Sequence, residues 1–315
     1  MTETDVCLQL FLAWLAQAHG RRFLVEESDY LEPAGLSALA ADGSFRLAVE
    51  VRPLLGPSEN AVWLAYRDQL QNDIAVDLPG AFALWLPAGA DLPSGSSERL
   101  DFVKRVRETA FSLEAGERSC VPLPISVYLK KLRQDGNLMS VIGGLNAYWA
   151  RFTERIRGTY DLDSTRLHRL PESEEHLQGL LDNICQETER IENIGQWLDI
   201  ETIDAWTIQR LEDGHGVAIM GMPPEEMGDL GLAVRRNFRR ILADAAPRLR
   251  QRAADLRALV VLGHYARMEQ EGATTALRGY DPALYANLDF LCLATDGLIK
   301  PLIQAPAHLL PWARG

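Results

Sequence analysis

Residues 35–52 read GLSALAADGSFRLAVEVR. Asp42-Gly43 stands between two apolar runs, and this dipeptide supplies the positive-φ positions that a tight hairpin turn requires. Beyond it Phe45, Leu47, Val49 and Val51 alternate with Arg46, Ala48, Glu50 and Arg52. The two-residue period of a strand places Glu50 and Arg52 on one face and the apolar set on the other. The stretch therefore predicts two antiparallel strands, Gly35–Ala40 and Phe45–Arg52, with an acid and a base side by side.

Working outward, residues 5–18 carry Leu8, Phe11, Leu12 and Leu15 at helical spacing and end at Gly20, which predicts an amphipathic opening helix. Arg22–Glu26 (RFLVE) predicts a short strand. After Pro53 and Gly56, Ser58 is placed to cap a helix over Glu59–Ile74, and Phe82–Leu86 (FALWL) predicts a buried strand. The order from residue 5 to 87 is helix, three strands, helix, strand. The loop with Pro87, Gly89, Pro93 and Ser94-Gly95-Ser96-Ser97 leads to a helix over Glu98–Leu113.

Pro122–Leu132 and Leu138–Ile142 flank Asp135-Gly136-Asn137 and predict a hairpin, followed by helices near Asn146–Arg157, Ser173–Glu192 and Ile200–Leu211. The last third returns to an α/β rhythm: a strand at Val217–Met220, a helix over Gly231–Ala254 in spite of Pro247, a buried strand at Ala258–Gly263, and a terminal hairpin from Leu288–Ala294 past Asp296-Gly297. The expected organisation is a core at 1–115, a hairpin plus acidic helical region at 116–213, and a C-terminal α/β segment at 214–315 that can extend the same sheet.

The 315 residues are 47% hydrophobic and 24% charged, which excludes a disordered or fibrous chain. Net charge is −12, so the whole surface is no match for nucleic acid, although a local basic patch is compatible with it. The charge is strongly segregated. Residues 161–204 hold twelve acids against Arg166, Arg169 and Arg190, whereas Arg235, Arg236, Arg239, Arg240, Arg248, Arg250, Arg252 and Arg257 face only Asp244 and Asp255. Lysine is scarce, at Lys104, Lys130, Lys131 and Lys300. No apolar run reaches the roughly 20 residues of a membrane span, and the acidic N-terminus lacks a basic leader; a cytoplasmic protein without membrane contact is expected. Cys7, Cys120, Cys185 and Cys292 are widely spaced and are expected to be buried reduced thiols.

The order helix, three-stranded meander, helix, strand over residues 5–87 resembles the core of the restriction-endonuclease-like, or PD-(D/E)XK, nuclease superfamily. There the second strand begins with Pro-Asp and the third carries acid, apolar residue, lysine; here the corresponding places read Pro33-Ala34 and Glu50-Val51-Arg52. The resemblance implies an α/β fold with an acidic helical insertion and additional C-terminal strands. It also implies a Mg²⁺- or Mn²⁺-dependent phosphodiesterase site acting on DNA or RNA, of the kind used in bacterial defence. Glu50 would be the metal ligand, Glu32 or Asp29 would assist, and Arg52 would contact phosphate. Such chemistry needs two or more carboxylates converging on a hard cation. Ala34 supplies none, and Arg52 cannot be deprotonated as a lysine can. The site is therefore expected to be degenerate.

Arg235 and Arg239, or Arg236 and Arg240, share a helix face at i,i+4 spacing and could grip phosphates. They could equally pair with the acidic segment, in the same molecule or across a homodimer. The competing expectation is accordingly a non-catalytic subunit that binds a protein partner through its acidic and Arg-rich surfaces. His168, His176, His215 and His264 follow no metal-ligand spacing. Neither G-x-G-x-x-G, a Walker loop nor a G-x-S-x-G elbow occurs.

Overall fold

A computed structural model of the chain describes residues 1–55, 58–171, 173–224, 230–263 and 274–314. The first elements are α1 (Glu3–His19), β1 (Leu24–Tyr30), β2 (Leu36–Ala41), β3 (Arg46–Pro53), α2 (Ala61–Ala75), β4 (Ala81–Trp85) and α3 (Ser96–Phe111). The middle holds β5 (Arg118–Arg133), β6 (Asn137–Gly143), α4 (Trp149–Thr153), β7 (Gly158–Ser164), α5 (Glu174–Arg190) and β8 (Trp197–Arg210). The last are β9 (Gly216–Met220), α6 (Leu230–Gln251), β10 (Leu256–Leu262), β11 (Phe290–Thr295) and β12 (Leu298–Gln304). The fold is mixed α/β with two mixed sheets. The chain forms two compact units, one of residues 1–92, 106–119 and 207–315, the other of 93–105 and 120–206.

In the first unit the sheet runs β1-β2-β3-β10-β11-β12. Asp42 builds its central hairpin, its Oδ1 accepting from the backbone N–H groups of Ser44 (2.9 Å) and Phe45 (2.8 Å). The resulting register sets Ser37 opposite Glu50 and Leu36 opposite Val51. β10 lies parallel to β3, with Ala258 beside Val49 and Leu259 beside Glu50, and β11 lies parallel to β10. One sheet face, with Ala38, Val49, Val51, Val260 and Cys292, packs on Val6, Phe11 and Leu15 of α1. The other, with Leu39, Ala48, Leu259 and Val261, packs on Val234, Phe238, Leu242, Ala245 and Leu249 of α6. Each such fully buried large apolar side chain contributes about 1.5–3 kcal/mol relative to an exposed one. The layers are therefore helix, sheet, helix, with Glu50 on the α6 side.

Two local signals make α1 a well-defined unit. Thr2 and Asp5 form a reciprocal capping box at its start, and Gly20 closes it in the left-handed conformation at φ 65°.

The elements over residues 5–87 follow in the expected order, α1, β1–β3, α2 and β4, but β4 does not join the sheet of β1–β3, where the neighbour of β3 is β10. β4 pairs instead in parallel with β9 and antiparallel with the end of β8. FALWL and ALVVL (258–262) are both continuous apolar runs, and nothing local tells which of them lies beside β3. The selection is made by α6, whose apolar stripe covers the β3–β10 face. The C-terminal strands β11 and β12 extend this same sheet.

In the second unit β7 lies parallel to β6 and antiparallel to β5. It thus separates the two strands expected to form a hairpin, and Asp135-Gly136-Asn137 steps over it. Leu177, Leu181 and Ile184 of α5 cover one face, packing on Val127, Leu129, Val141 and Leu162. The helix expected at Ile200–Leu211 is strand β8: Ile200, Asp204 and Trp206 are buried while Glu201 and Ile203 are exposed, a period of two. The helix expected over Asn146–Arg157 shrinks to α4, and α2 is capped by Asn60, whose Oδ1 accepts from the N–H of Trp63, rather than by Ser58. Cys7, Cys185 and Cys292 are buried, whereas Cys120 is exposed, contrary to expectation.

Candidate functional site

Glu50 is 2% exposed in the middle of β3, yet it is ionically satisfied. Arg52 Nε donates to its Oε1 at 2.8 Å, and Arg248 of α6 donates from Nη2 to Oε1 at 2.5 Å and from Nε to Oε2 at 3.2 Å. Two guanidinium groups thus occupy both carboxylate oxygens, one of them in the bidentate fork that arginine geometry favours. The Glu50 carboxylate, through its hydrogen bond first of all, holds Arg248 above its ordinary pKa. Arg52 also donates from Nη1 to the carbonyl of Ala34 at 3.0 Å. The Arg52 end of Glu50-Val51-Arg52 is thereby tied to the Pro33-Ala34 segment. Gly35, at φ 148°, makes the junction possible: a Cβ there would stand 2.9 Å from Arg52 Cδ and 3.0 Å from the Val51 carbonyl oxygen.

Around this pair the α6 side carries further polar groups. Arg252 Nη2 donates to Ser37 Oγ at 2.8 Å, and Ser37 is the cross-strand neighbour of Glu50. Asp29 is opposite Ser37 in turn, so Asp29, Ser37 and Glu50 form one row across the sheet. Two strand spacings, about 10 Å, separate Asp29 from Glu50, too far for the two carboxylates to share one ion. Glu32 is exposed and lines a cleft of about 420 Å³ with Glu3, Tyr30, Ala34 and Arg67, at the carboxyl ends of β3 and β10. Glu50 is not among the residues that line it. Among the described residues no group of three His, Cys, Asp or Glu side chains is gathered as a metal site needs. The residues present do not fit a divalent cation: Ala34 offers no ligand, and both oxygens of Glu50 are held by arginine.

The α6 arginines divide. Arg235, Arg236 and Arg240 are exposed. Arg239 is half-buried and structural, donating to the carbonyls of Ala276 (2.9 Å) and Arg278 (3.1 Å) with its guanidinium 5.3 Å from the Tyr280 ring centre. Two of its nitrogens are thus engaged within the fold. Arg257 likewise donates to the carbonyls of Leu249 and Arg252. The ion-pair partner of Arg248 is Glu50, and acids of the 161–204 segment pair within their own unit, Glu174 with Arg151, Asp182 with Arg155 and Glu187 with Arg190.

Sequence reasoning missed Arg248 as a member of the site, since its partner lies 198 positions away. It also missed a contact in the second unit, where buried Asp204 accepts from His168 Nδ1 (3.0 Å), Trp206 Nε1 (3.1 Å) and the backbone N–H groups of His168 and Arg169. These bonds fix the loop before α5, and only the period-two reading of β8 would have pointed to an inward Asp204. His176 and His215 are exposed, and His264 lies outside the described residues.

Comparison of the chain with protein families, curated proteins and solved structures finds no match.

Proposed function

We propose that the first unit is a nuclease-related core of the restriction-endonuclease-like kind, its metal site degenerate, that binds nucleic acid through α6 without hydrolysing it. The observation that carries the reading is the closed salt bridge of Glu50 with Arg52 and Arg248. A carboxylate that has given both oxygens to arginine cannot also ligate Mg²⁺ unless those bonds break. Further support comes from the sheet order β1-β2-β3-β10, with β3 and β10 parallel and α1 and α6 on its two faces, and from the contact of Arg52 with the Pro33-Ala34 segment.

The nucleic-acid half of the reading rests on α6. Arg236 and Arg240, exposed and four residues apart, form a basic stripe about 6 Å long at 1.5 Å per residue. Asp244 ends the stripe, but Arg235 and Arg250 are exposed on the same helix. Phosphate contacts of this kind position a nucleic acid without reading its sequence.

The test is a cleavage and binding assay on the full chain with 20-residue DNA and RNA probes, in Mg²⁺ and in Mn²⁺, using wild type and Glu50→Ala. A band shift is expected for wild type, with no cleavage by either protein. Cleavage by wild type that disappears in Glu50→Ala would establish an active metal site and overturn the reading, and so would the absence of any binding.

A further inference from the structure

The second unit holds a surface that this reading does not use. In β5, β6, β7 and β8 alternate residues face α5, and the others face away from it. The outward set carries Leu138 (51% exposed), Ile142 (53%), Trp197 (60%) and Ile203 (54%). Large apolar side chains grouped on one open sheet face, with polar groups among them, mark an interaction surface rather than the scattered exposure of an ordinary exterior.

Register arranges these residues in rows. Tyr128 and Ile142 flank Asp163, and Lys130 and Ser140 flank Asp161. The rings of Tyr128 and Trp197 stand 6.1 Å apart, tilted by 49°, and form an open corner. Tyr128, Trp197, Ile142, Asp161 and Asp163 line a cleft of about 590 Å³ there. Asp163 spends Oδ1 on Thr165, accepting from its N–H at 3.0 Å and its hydroxyl at 2.6 Å. On β8, beyond β5, Asp199 and Glu201 are exposed as well. Four carboxylates thus stand on this face, with Lys130 beside them.

We propose that this face docks a basic polypeptide segment of a partner protein, with an arginine or lysine side chain entering the corner between Trp197 and Tyr128. The aromatic faces attract a cation, Asp161 and Asp163 supply the counter-charge, and Ile142 and Leu138 receive the aliphatic residues that flank it. Charge complementarity selects this occupant: the carboxylates repel phosphate, which disfavours nucleic acid and anionic lipid on this face. The docking is independent of the nuclease-related reading, since it uses no residue of the first unit.

The experiment uses the full chain and a fluorescein-labelled ten-residue peptide of alternating arginine and leucine, followed by anisotropy, with a glutamate–leucine peptide as control. Saturable binding of the basic peptide alone is expected, weakened at least tenfold by Trp197→Ala and by Asp161→Asn/Asp163→Asn. Arg236→Ala/Arg240→Ala is expected to bind it as wild type does. Trp197 is exposed, so its removal leaves the fold intact, which circular dichroism checks. Trp197→Ala leaves the net charge at −12; unchanged binding in that variant would reduce the contact to non-specific attraction and overturn the proposal. So would the absence of saturable binding, saturable binding of maltohexaose at the same corner, or concentration-dependent self-association of the chain abolished by Trp197→Ala.

Discussion

Arg248 reaches from α6 to the centre of β3 and grips both oxygens of the buried Glu50, at 2.5 and 3.2 Å. The contact joins the helix to the sheet by charge at a place where the surrounding layer is apolar. Removing Glu50 leaves two arginines facing each other without a counter-ion. Glu50→Ala is therefore expected to destabilise the chain by about 3–5 kcal/mol, read as a lower urea midpoint. Arg248→Ala is expected to cost less, because its side chain is 43% exposed and water replaces part of the bond. A catalytic carboxylate held in readiness for a metal behaves oppositely, and a neutral or stabilising Glu50→Ala contradicts this account.

Gly35→Ala tests the junction between Arg52 and the Pro33-Ala34 segment. The new Cβ needs a positive φ and stands 2.9 Å from the Arg52 side chain and 3.0 Å from the Val51 carbonyl. Strain of this kind costs about 1–3 kcal/mol. A thermal melt is expected to show destabilisation of that size, and an unchanged melting temperature contradicts the close approach.

Phe238→Ala tests the three-layer packing. Phe238 is fully buried between α6 and the sheet, and truncation there is expected to cost about 3–5 kcal/mol. Denaturant unfolding reads it; a cost under about 1 kcal/mol, the size of a surface change, would place α6 elsewhere.

Asp42 gives the hairpin a pH dependence. Burial raises its pKa, but the backbone N–H groups of Phe45 and Ser44 and the charge of Arg21 outweigh it and bring the carboxyl below its usual value. A group depressed in the folded state stabilises above its unfolded pKa, near 4, and that contribution disappears as pH falls through the folded value. Asp42→Asn is expected to reduce the stability difference between pH 7 and pH 2, measured by urea unfolding at each. An identical difference in the variant removes Asp42 from the acid response.

The thiols provide a check on burial. Cys120 is exposed, whereas burial raises the Cys7, Cys185 and Cys292 thiols above their ordinary range. At pH 8 one thiol is expected to react rapidly with a chromogenic disulfide and the other three only on unfolding. Disappearance of the fast phase in Cys120→Ser assigns it, and a fast phase that persists there contradicts the burial.

What is decided locally is legible in the sequence. The β2–β3 hairpin follows from Asp42-Gly43 and a period of two, and the adjacency of Glu50 and Arg52 follows from the same period. The parallel pairing of β3 with β10 does not, because their apolar runs resemble that of β4 and only the packing of α6 distinguishes them. Arg248 stands in a visibly basic helix, but the sequence has no signal for which arginine turns inward across 198 positions. β8 is hidden because its acids fit a solvated helix face as well as a strand, although Ile200, Asp204 and Trp206 alternate as a strand requires.

The claim that α6 holds nucleic acid beside a locked Glu50 is tested most directly by the salt dependence of binding. Each phosphate neutralised on a duplex contributes about 0.9 to the slope of log K against log salt concentration. Anisotropy titrations of a labelled 20-base-pair duplex, from low to physiological salt, compare wild type with Arg236→Ala/Arg240→Ala. The slope is predicted to be shallower by about 2 in the variant, where two phosphates are no longer neutralised, with the duplex intact in Mg²⁺. Equal slopes, or a duplex cut by wild type and spared by Glu50→Ala, would contradict it.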